Sequence, residues 1–229
     1  MPGTSSTPNN DPEFFDRDEF RANLLKYTRK AFQVLPPIER PRILDIGCGT
    51  GVCTLELIRL SGGSVVAVDI DKKALDKLVR VAENEGLSNR VTPIQGSMLD
   101  MDFAPGSFDI IWSEGAIANM GFERGLRLWR QFLVDGGYLV VHDELSNVEK
   151  KVESVREAGF DVRSRFELPP SVWWCEYYAP LKRHLDMMRS TGPLSEKVAA
   201  AAEAAEREIA EFNPHSDRYG SFFIIMQKV

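Results

Sequence analysis

The residues best placed to do chemistry begin with Asp45-Ile46-Gly47-Cys48-Gly49-Thr50-Gly51, where glycines at alternate positions follow an apolar run, Ile43 to Ile46, that ends beside a carboxylate. Bare backbone at that spacing can approach a ligand closely, and in an open α/β fold ligands bind at the carboxyl ends of the strands. Asp69 lies twenty-two residues beyond Gly47, at the end of the next apolar run, where a carboxylate can accept hydrogen bonds from both ribose hydroxyls of an adenosine. A nucleoside-containing cofactor is therefore expected. Two further apolar runs end in Ser113-Glu114-Gly115 and His142-Asp143-Glu144. Glu114 can orient a cationic or hydroxyl-bearing group, and His142 has the near-neutral ordinary pKa of a general base. Asp143 and Glu144 read as solvent-facing or capping acids. The run Trp173-Trp174-Cys175-Glu176-Tyr177-Tyr178 could exclude water and shape an aromatic pocket, with cation-π contact available to an amine.

These residues need a scaffold, and the hydrophobic pattern supplies one. Continuous apolar runs at about Arg42–Ile46, Val65–Val68, Val91–Gln95, Phe108–Trp112 and Tyr138–Val141 suit parallel strands covered on both faces. Helical spacing marks Val52–Leu60, the stretch from Asp71 to about Gly86, Phe122–Phe132 and Asn147–Ala158, and Gly136-Gly137 reads as a turn. Phe160–Phe166 alternates as an edge strand does, and Ser221–Gln227 reads as a last strand. The residues between, 167–220, are too many for a hairpin and are expected to be an inserted cap containing a helix over about Ser195–Phe212. A strand that ends on the cofactor side would bring the start of this cap, with its aromatic run, over the pocket mouth. Before the first strand, residues 13–37 read as one or two amphipathic helices forming a lid, stopped by Pro36-Pro37. Residues 1–12, rich in Pro, Ser, Thr and Asn, read as a disordered tail.

An NAD fingerprint would need glycine at position 52, where the chain has Val52. The segment Leu44-Asp45-Ile46-Gly47-Cys48-Gly49-Thr50-Gly51 instead resembles motif I of the class I S-adenosylmethionine-dependent methyltransferases. The likeness runs over about residues 40–145, through Asp69, Gln95-Gly96-Ser97-Met98, Phe108-Asp109-Ile110-Ile111 and Gly136-Gly137-Tyr138-Leu139. A closer similarity is to a ubiquinone-biosynthesis-like, type 11 group of small-molecule methyltransferases, through Trp112-Ser113-Glu114-Gly115-Ala116-Ile117 and Gly121-Phe122-Glu123-Arg124-Gly125. The resemblance implies a Rossmann-like, doubly wound α/β fold with a seven-stranded sheet whose last strand is antiparallel. It implies S-adenosylmethionine as cofactor, with Gly47, Gly49 and Gly51 along its methionine part, Asp69 on the ribose and Ser97-Met98 flanking the adenine. Cys48, Ile70 and Ser113 count among the cofactor-contacting positions, while Asp45 fixes the loop. Many relatives carry aspartate where this chain has Ser97, which leaves the adenine amino group to Asp100 or to backbone. Glu114 and His142 become the candidates for acceptor chemistry, and Trp173, Trp174, Tyr177 and Tyr178 together with Glu114 the candidate substrate contacts. No acceptor follows from the resemblance.

Composition limits the alternatives. The 229 residues suit a single domain over 13–229, and 43% apolar content provides a core. A net charge of -6, with Lys and Arg scattered, gives no footprint for a phosphate backbone. Three cysteines without a Cys-x-x-Cys pair argue against a disulfide framework and a thiolate metal site. With no apolar run of membrane-spanning length, the expectation is a cytoplasmic monomer or homodimer acting on a small molecule, with neither nucleic acid nor membrane as partner and no metal. The competing readings are a non-catalytic protein that binds the same cofactor and, less favoured, an NAD-dependent oxidoreductase.

Overall fold

The computed structural model describes residues 16–212 and 219–229; the expected tail, 1–12, lies outside them. Seven strands form one sheet in the order β3-β2-β1-β4-β5-β7-β6. They are β1 (Arg42–Ile46), β2 (Ser64–Asp69), β3 (Val91–Gln95), β4 (Phe108–Glu114), β5 (Leu133–Glu144), β6 (Phe160–Leu168) and β7 (Ser221–Lys228). Strands β3, β2, β1, β4 and β5 pair in parallel, whereas β7 runs antiparallel to both β5 and β6. Strand β6 therefore points the same way as β5 and delivers the chain after Leu168 to the carboxyl ends of the central strands.

Side-chain alternation along the buried strands divides the core in two. Ile43, Val65, Ile110, Trp112, Val140 and Phe223 pack under helices α3 (Val52–Ser61) and α4 (Lys72–Asn84). Leu44, Ile46, Ile111, Leu139, Val141 and Ile224 face the opposite layer, α5 (Phe122–Trp129) and α6 (Val148–Glu157). This is the period-2 arrangement of a sheet covered on both faces.

Two boundaries differ from those the sequence suggests. Strand β5 begins at Leu133 and runs through Gly136-Gly137, which do not form its starting turn. The register slips between Phe108↔Leu133 and Ile110↔Tyr138, so the glycines accommodate a bulge. Gly136 adopts φ +73°, and a Cβ on Gly137 would stand 3.1 Å from Asp109 O. Strand β4 continues past Trp112 because Ser113 and Glu114 pair with Val141 and His142, making Glu114 and His142 register neighbours.

The N-terminal residues form α1 (Asp18–Ala22) and α2 (Leu25–Phe32). The cap between β6 and β7 holds α7 (Pro170–Trp173), a single π turn over Trp174–Tyr178, α8 (Ala179–Thr191) and α9 (Glu196–Glu211). It has its own small core, in which Tyr177, Leu181, Leu185, Ala202 and Ala205 enclose Phe20 of α1. Lid and cap thus pack as one layer. No helix among the described residues is long and apolar enough to cross a membrane.

Candidate active site

The strand order reverses between β1 and β4, so the loops leaving their carboxyl ends diverge and open a crevice. On the β1 side, the glycine loop is tethered to β2: the Gly47 and Cys48 N–H groups donate to Val68 O at 2.8 and 3.1 Å, and Gly49 N–H donates to Asp69 Oδ2 at 2.7 Å. Gly47 and Gly51 have φ of +75° and +86°, and a Cβ there would stand 2.3 Å from Ala116 Cβ and 2.2 Å from Leu78 Cδ1 respectively. Gly49, φ +53°, has nothing within 4 Å of the corresponding position. The loop is pressed against protein at both ends and leaves bare backbone open at its centre.

A cavity of about 600 Å³ extends from Gly47–Thr50 to Glu114 and His142. It is closed above by Tyr27 and Thr28 of α2, by Trp173, Tyr177 and Tyr178 of the cap, and by Arg17 beside α1. Several polar links hold that roof. Asp18 accepts from Thr50 Oγ1 at 2.8 Å and pairs with Lys77 at 2.6 Å, while Arg17 donates to the Tyr177 hydroxyl and to Glu208 Oε2, the latter at 2.7 Å.

Asp45 is only 2% exposed and lies on the α3 face, where its Oδ2 accepts from Thr54 Oγ1 at 2.6 Å. Burial pushes its carboxyl up to about 7; the Thr54 bond opposes this, and the neighbouring Glu114 and Asp69 charges reinforce it. Glu114 Oε1 accepts from Trp112 Nε1 at 2.7 Å, Thr28 Oγ1 at 2.9 Å and Cys53 Sγ at 3.3 Å. Burial raises its pKa, whereas those three donors favour its ionised form. Its Oε2 lies 3.9 Å from His142 Nδ1. The His142 ring is stacked against Phe223, with centroids 4.2 Å apart, and lies parallel to Trp173 at 5.8 Å; its Nε2 bonds Ser221 Oγ at 2.8 Å.

The structure alters several roles expected from sequence. Burial lowers the His142 pKa to about 4, which favours the neutral ring at physiological pH and disfavours the general-base role. Asp143 is not solvent-facing but buried, with Lys151 Nζ 2.7 Å from its Oδ2. Ser113 is fully buried and donates to Ile46 O at 3.0 Å, stapling β4 to β1 outside the cavity lining. Trp174 stacks on Phe212 and also stays out of the lining, which Trp173, Tyr177 and Tyr178 share. Asp69, Ile70, Ser97 and Met98 gather outside this cavity, around the end of β2: Gly96 N–H donates to Asp69 O, and Ile70 is 74% exposed. Cys48 lines the cavity, and burial pushes its thiol far above the ordinary range.

Sequence reasoning missed Thr28, Cys53, Trp112 and Ser221. The signal for Trp112 was present: residues two apart on a strand share a face, so Trp112 was bound to lie alongside Glu114.

Residues 43–137 match the family model described as a methyltransferase domain. Over that stretch the chain is similar to a methyltransferase domain. Over 129 residues the chain is 33% identical to the ribosomal protein L11 methyltransferase of Pelobacter propionicus, a match covering 55% of this chain and 38% of that relative. The chain spans less than half the length of the curated relatives it matches. Among solved structures, phosphoethanolamine N-methyltransferase 2 of Haemonchus contortus in complex with S-adenosyl-L-methionine superposes with a TM-score of 0.67 at 18% identity, covering 92% of this chain and 57% of that one. The [4+2]-cyclase SpnF superposes with a TM-score of 0.69, also at 18% identity, covering 89% and 80%. At these identities the chain shares a fold with both, while the reaction must be argued from its site.

Proposed function

We propose that the protein is an S-adenosylmethionine-dependent methyltransferase acting on a small molecule. The observation that carries this reading is the continuity of one space, from the open backbone at Gly49 to the Glu114–His142 pair, under an aromatic roof. The residues present fit the cofactor. Asp69 already orders the loop with one lone pair on each oxygen, through Gly49 and Asp71, and retains further acceptor capacity for two ribose hydroxyls. Asp45 is a buried carboxylate and Glu114 a half-buried one, and both suit a cationic ligand. S-adenosylmethionine supplies a methyl group on a positively charged sulfur, open to in-line displacement.

The chain's own contribution is alignment, exclusion of water and acceptance of a proton. Tyr177, Tyr178 and Trp173 line the space, and Glu114, in the same wall, serves in this reading as the proton acceptor. The likeness to a cyclase keeps a second reading in view, cofactor binding without methyl transfer.

Calorimetric titration of S-adenosylmethionine and S-adenosylhomocysteine tests the reading. Wild type binds both, and Asp69→Ala weakens binding at least about 100-fold, as expected for two lost bonds to a charged acceptor at about 1.5–3 kcal/mol each. No binding to wild type refutes the assignment; binding without transfer to any acceptor favours the second reading.

A further inference from the structure

We infer that the methyl acceptor presents a hydroxyl group, held between Glu114 Oε2 and the Nδ1–H of His142 and methylated on oxygen. The inference rests on the methyltransferase reading and deepens it.

The hydrogen positions follow from donor and acceptor chemistry. An indole N–H can only donate, so Trp173 Nε1, 2.9 Å from Ser221 Oγ, uses one of that oxygen's lone pairs. The Ser221 hydroxyl is buried, and among the described residues the one acceptor it meets is His142 Nε2, at 2.8 Å. A buried hydroxyl hydrogen that can be satisfied is satisfied. His142 Nε2 therefore accepts, and the neutral ring carries its hydrogen on Nδ1. Stacking against Phe223 fixes the ring plane, and Nδ1 stands 3.9 Å from Glu114 Oε2.

Glu114 is oriented by a complementary set of contacts. Donors from three elements, Thr28 of α2, Trp112 of β4 and Cys53 of α3, converge on Oε1. This fixes the rotamer and, against the burial that raises the Glu114 pKa, favours the carboxylate, while Oε2 has no hydrogen bond among the described residues. The cavity thus presents one fixed donor and one fixed acceptor 3.9 Å apart. That separation matches a single atom bonded to both at about 2.8 Å, with an angle near 90° between the two bonds.

The guest atom must accept from His142, donate to Glu114 and keep a lone pair for the methyl carbon. A hydroxyl oxygen has one hydrogen and two lone pairs and meets all three demands. An ammonium has no lone pair and leaves Nδ1–H unpaired. A neutral amine has one lone pair, and accepting from His142 consumes it. In the transfer step the hydroxyl proton passes to Glu114 Oε2. The oxygen's free lone pair forms the O–CH3 bond as the CH3–S bond of the methyl sulfonium breaks, and sulfur keeps that pair as a neutral thioether. The products are a methyl ether, S-adenosylhomocysteine and protonated Glu114, which returns its proton to solvent.

The test uses the full chain saturated with S-adenosylhomocysteine. With histidine labelled by 15N, NMR reads the tautomer directly; the sequence has only three histidines, so His142→Asn identifies the signal. The expected spectrum shows a protonated Nδ1 and a bare Nε2, and an Nε2–H tautomer overturns the proposal. Calorimetry with 2-naphthol, 2-methoxynaphthalene and 2-naphthylmethylammonium supplies the second readout. In Glu114→Gln, Trp112 holds the amide oxygen on its own side, so the NH2 group takes the place of Oε2 and turns that acceptor into a donor. We expect 2-naphthol to bind wild type about tenfold more tightly than Glu114→Gln, and 2-methoxynaphthalene, which has no hydrogen to donate, to show the reverse order. Equal responses to the substitution, tighter wild-type binding of the ammonium than of the naphthol, or no saturable naphthol binding overturns the inference. Failure of S-adenosylhomocysteine to bind wild type instead overturns the methyltransferase reading.

Discussion

Binding of a cationic cofactor should release a proton from Asp45, and the structure sets the size of the effect. Asp45 sits buried beneath the glycine loop, with its pKa raised to about 7 by loss of solvent and, further, by the Glu114 and Asp69 carboxylates. In the free protein at neutral pH the group is about half protonated. A sulfonium and an ammonium nearby favour the ionised form, so the apparent affinity scales with the ionised fraction. That fraction is about 0.1 one unit below the pKa and about 0.9 one unit above it, so the Kd for S-adenosylmethionine should fall nearly tenfold between about pH 6 and pH 8. Calorimetry at pH 7 in two buffers of different ionisation enthalpy should report about half a proton released per cofactor bound. Asp45→Asn should bind more weakly, with neither the pH slope nor the buffer dependence. The same group affects the free protein with a definite sign. Its pKa is higher folded than unfolded, so the folded state holds the extra proton between about pH 4 and 7, and the stability difference is lost as pH rises through that window. With a rise from 3.8 to about 7, this amounts to at most about 4 kcal/mol, and Asp45→Asn should flatten the decline in thermal midpoint. A wild-type Kd that does not change from pH 6 to 8, or an equal slope in Asp45→Asn, would refute the reasoning.

Three further substitutions separate loop geometry from ligand contact and test the roof. Gly51→Ala places a Cβ 2.2 Å from Leu78 at φ +86°, so strain and overpacking should together cost about 2–5 kcal/mol and lower the thermal midpoint. Gly49→Ala, whose Cβ would enter open space, should cost only about 1–2 kcal/mol in stability yet abolish cofactor binding by calorimetry; unchanged affinity would show that the ligand does not cross Gly49. Arg17→Ala breaks the link from α1 to Tyr177 and Glu208, a partly exposed pair worth less than about 1 kcal/mol. The melting temperature should barely move, while hydrogen exchange over α1 and α2 accelerates; unchanged exchange would mean that Phe20 and the remaining polar links hold these helices without Arg17.

The local order of the chain determined the scaffold and the glycine loop. Strands buried on both faces must be continuously apolar, and alternate glycines ending in Gly51 must break β1 into a loop, so β1, β3 and the helices between were legible to within a residue or two. Asp69 was legible because its place at the end of β2 follows from strand length alone. What the sequence misread were contacts made across the sheet. Gly136-Gly137 resembles a turn until β4 lies beside it and makes it a bulge. His142 resembles a base because its ordinary pKa is near neutral, and only enclosure by Phe223 and Trp173, residues 31 to 81 positions away, lowers it to about 4. The Glu114 partners come from α2, α3 and β4, and Ser221 reaches His142 through the antiparallel pairing of β7 with β5. Such relations cannot be read from spacing, because burial and hydrogen-bond direction are properties of the space between elements. The sequence determined which segments form the sheet and where the glycine loop lies; the tertiary structure alone decided which oxygen of Glu114 the neighbouring donors occupy and which groups enclose the His142 ring.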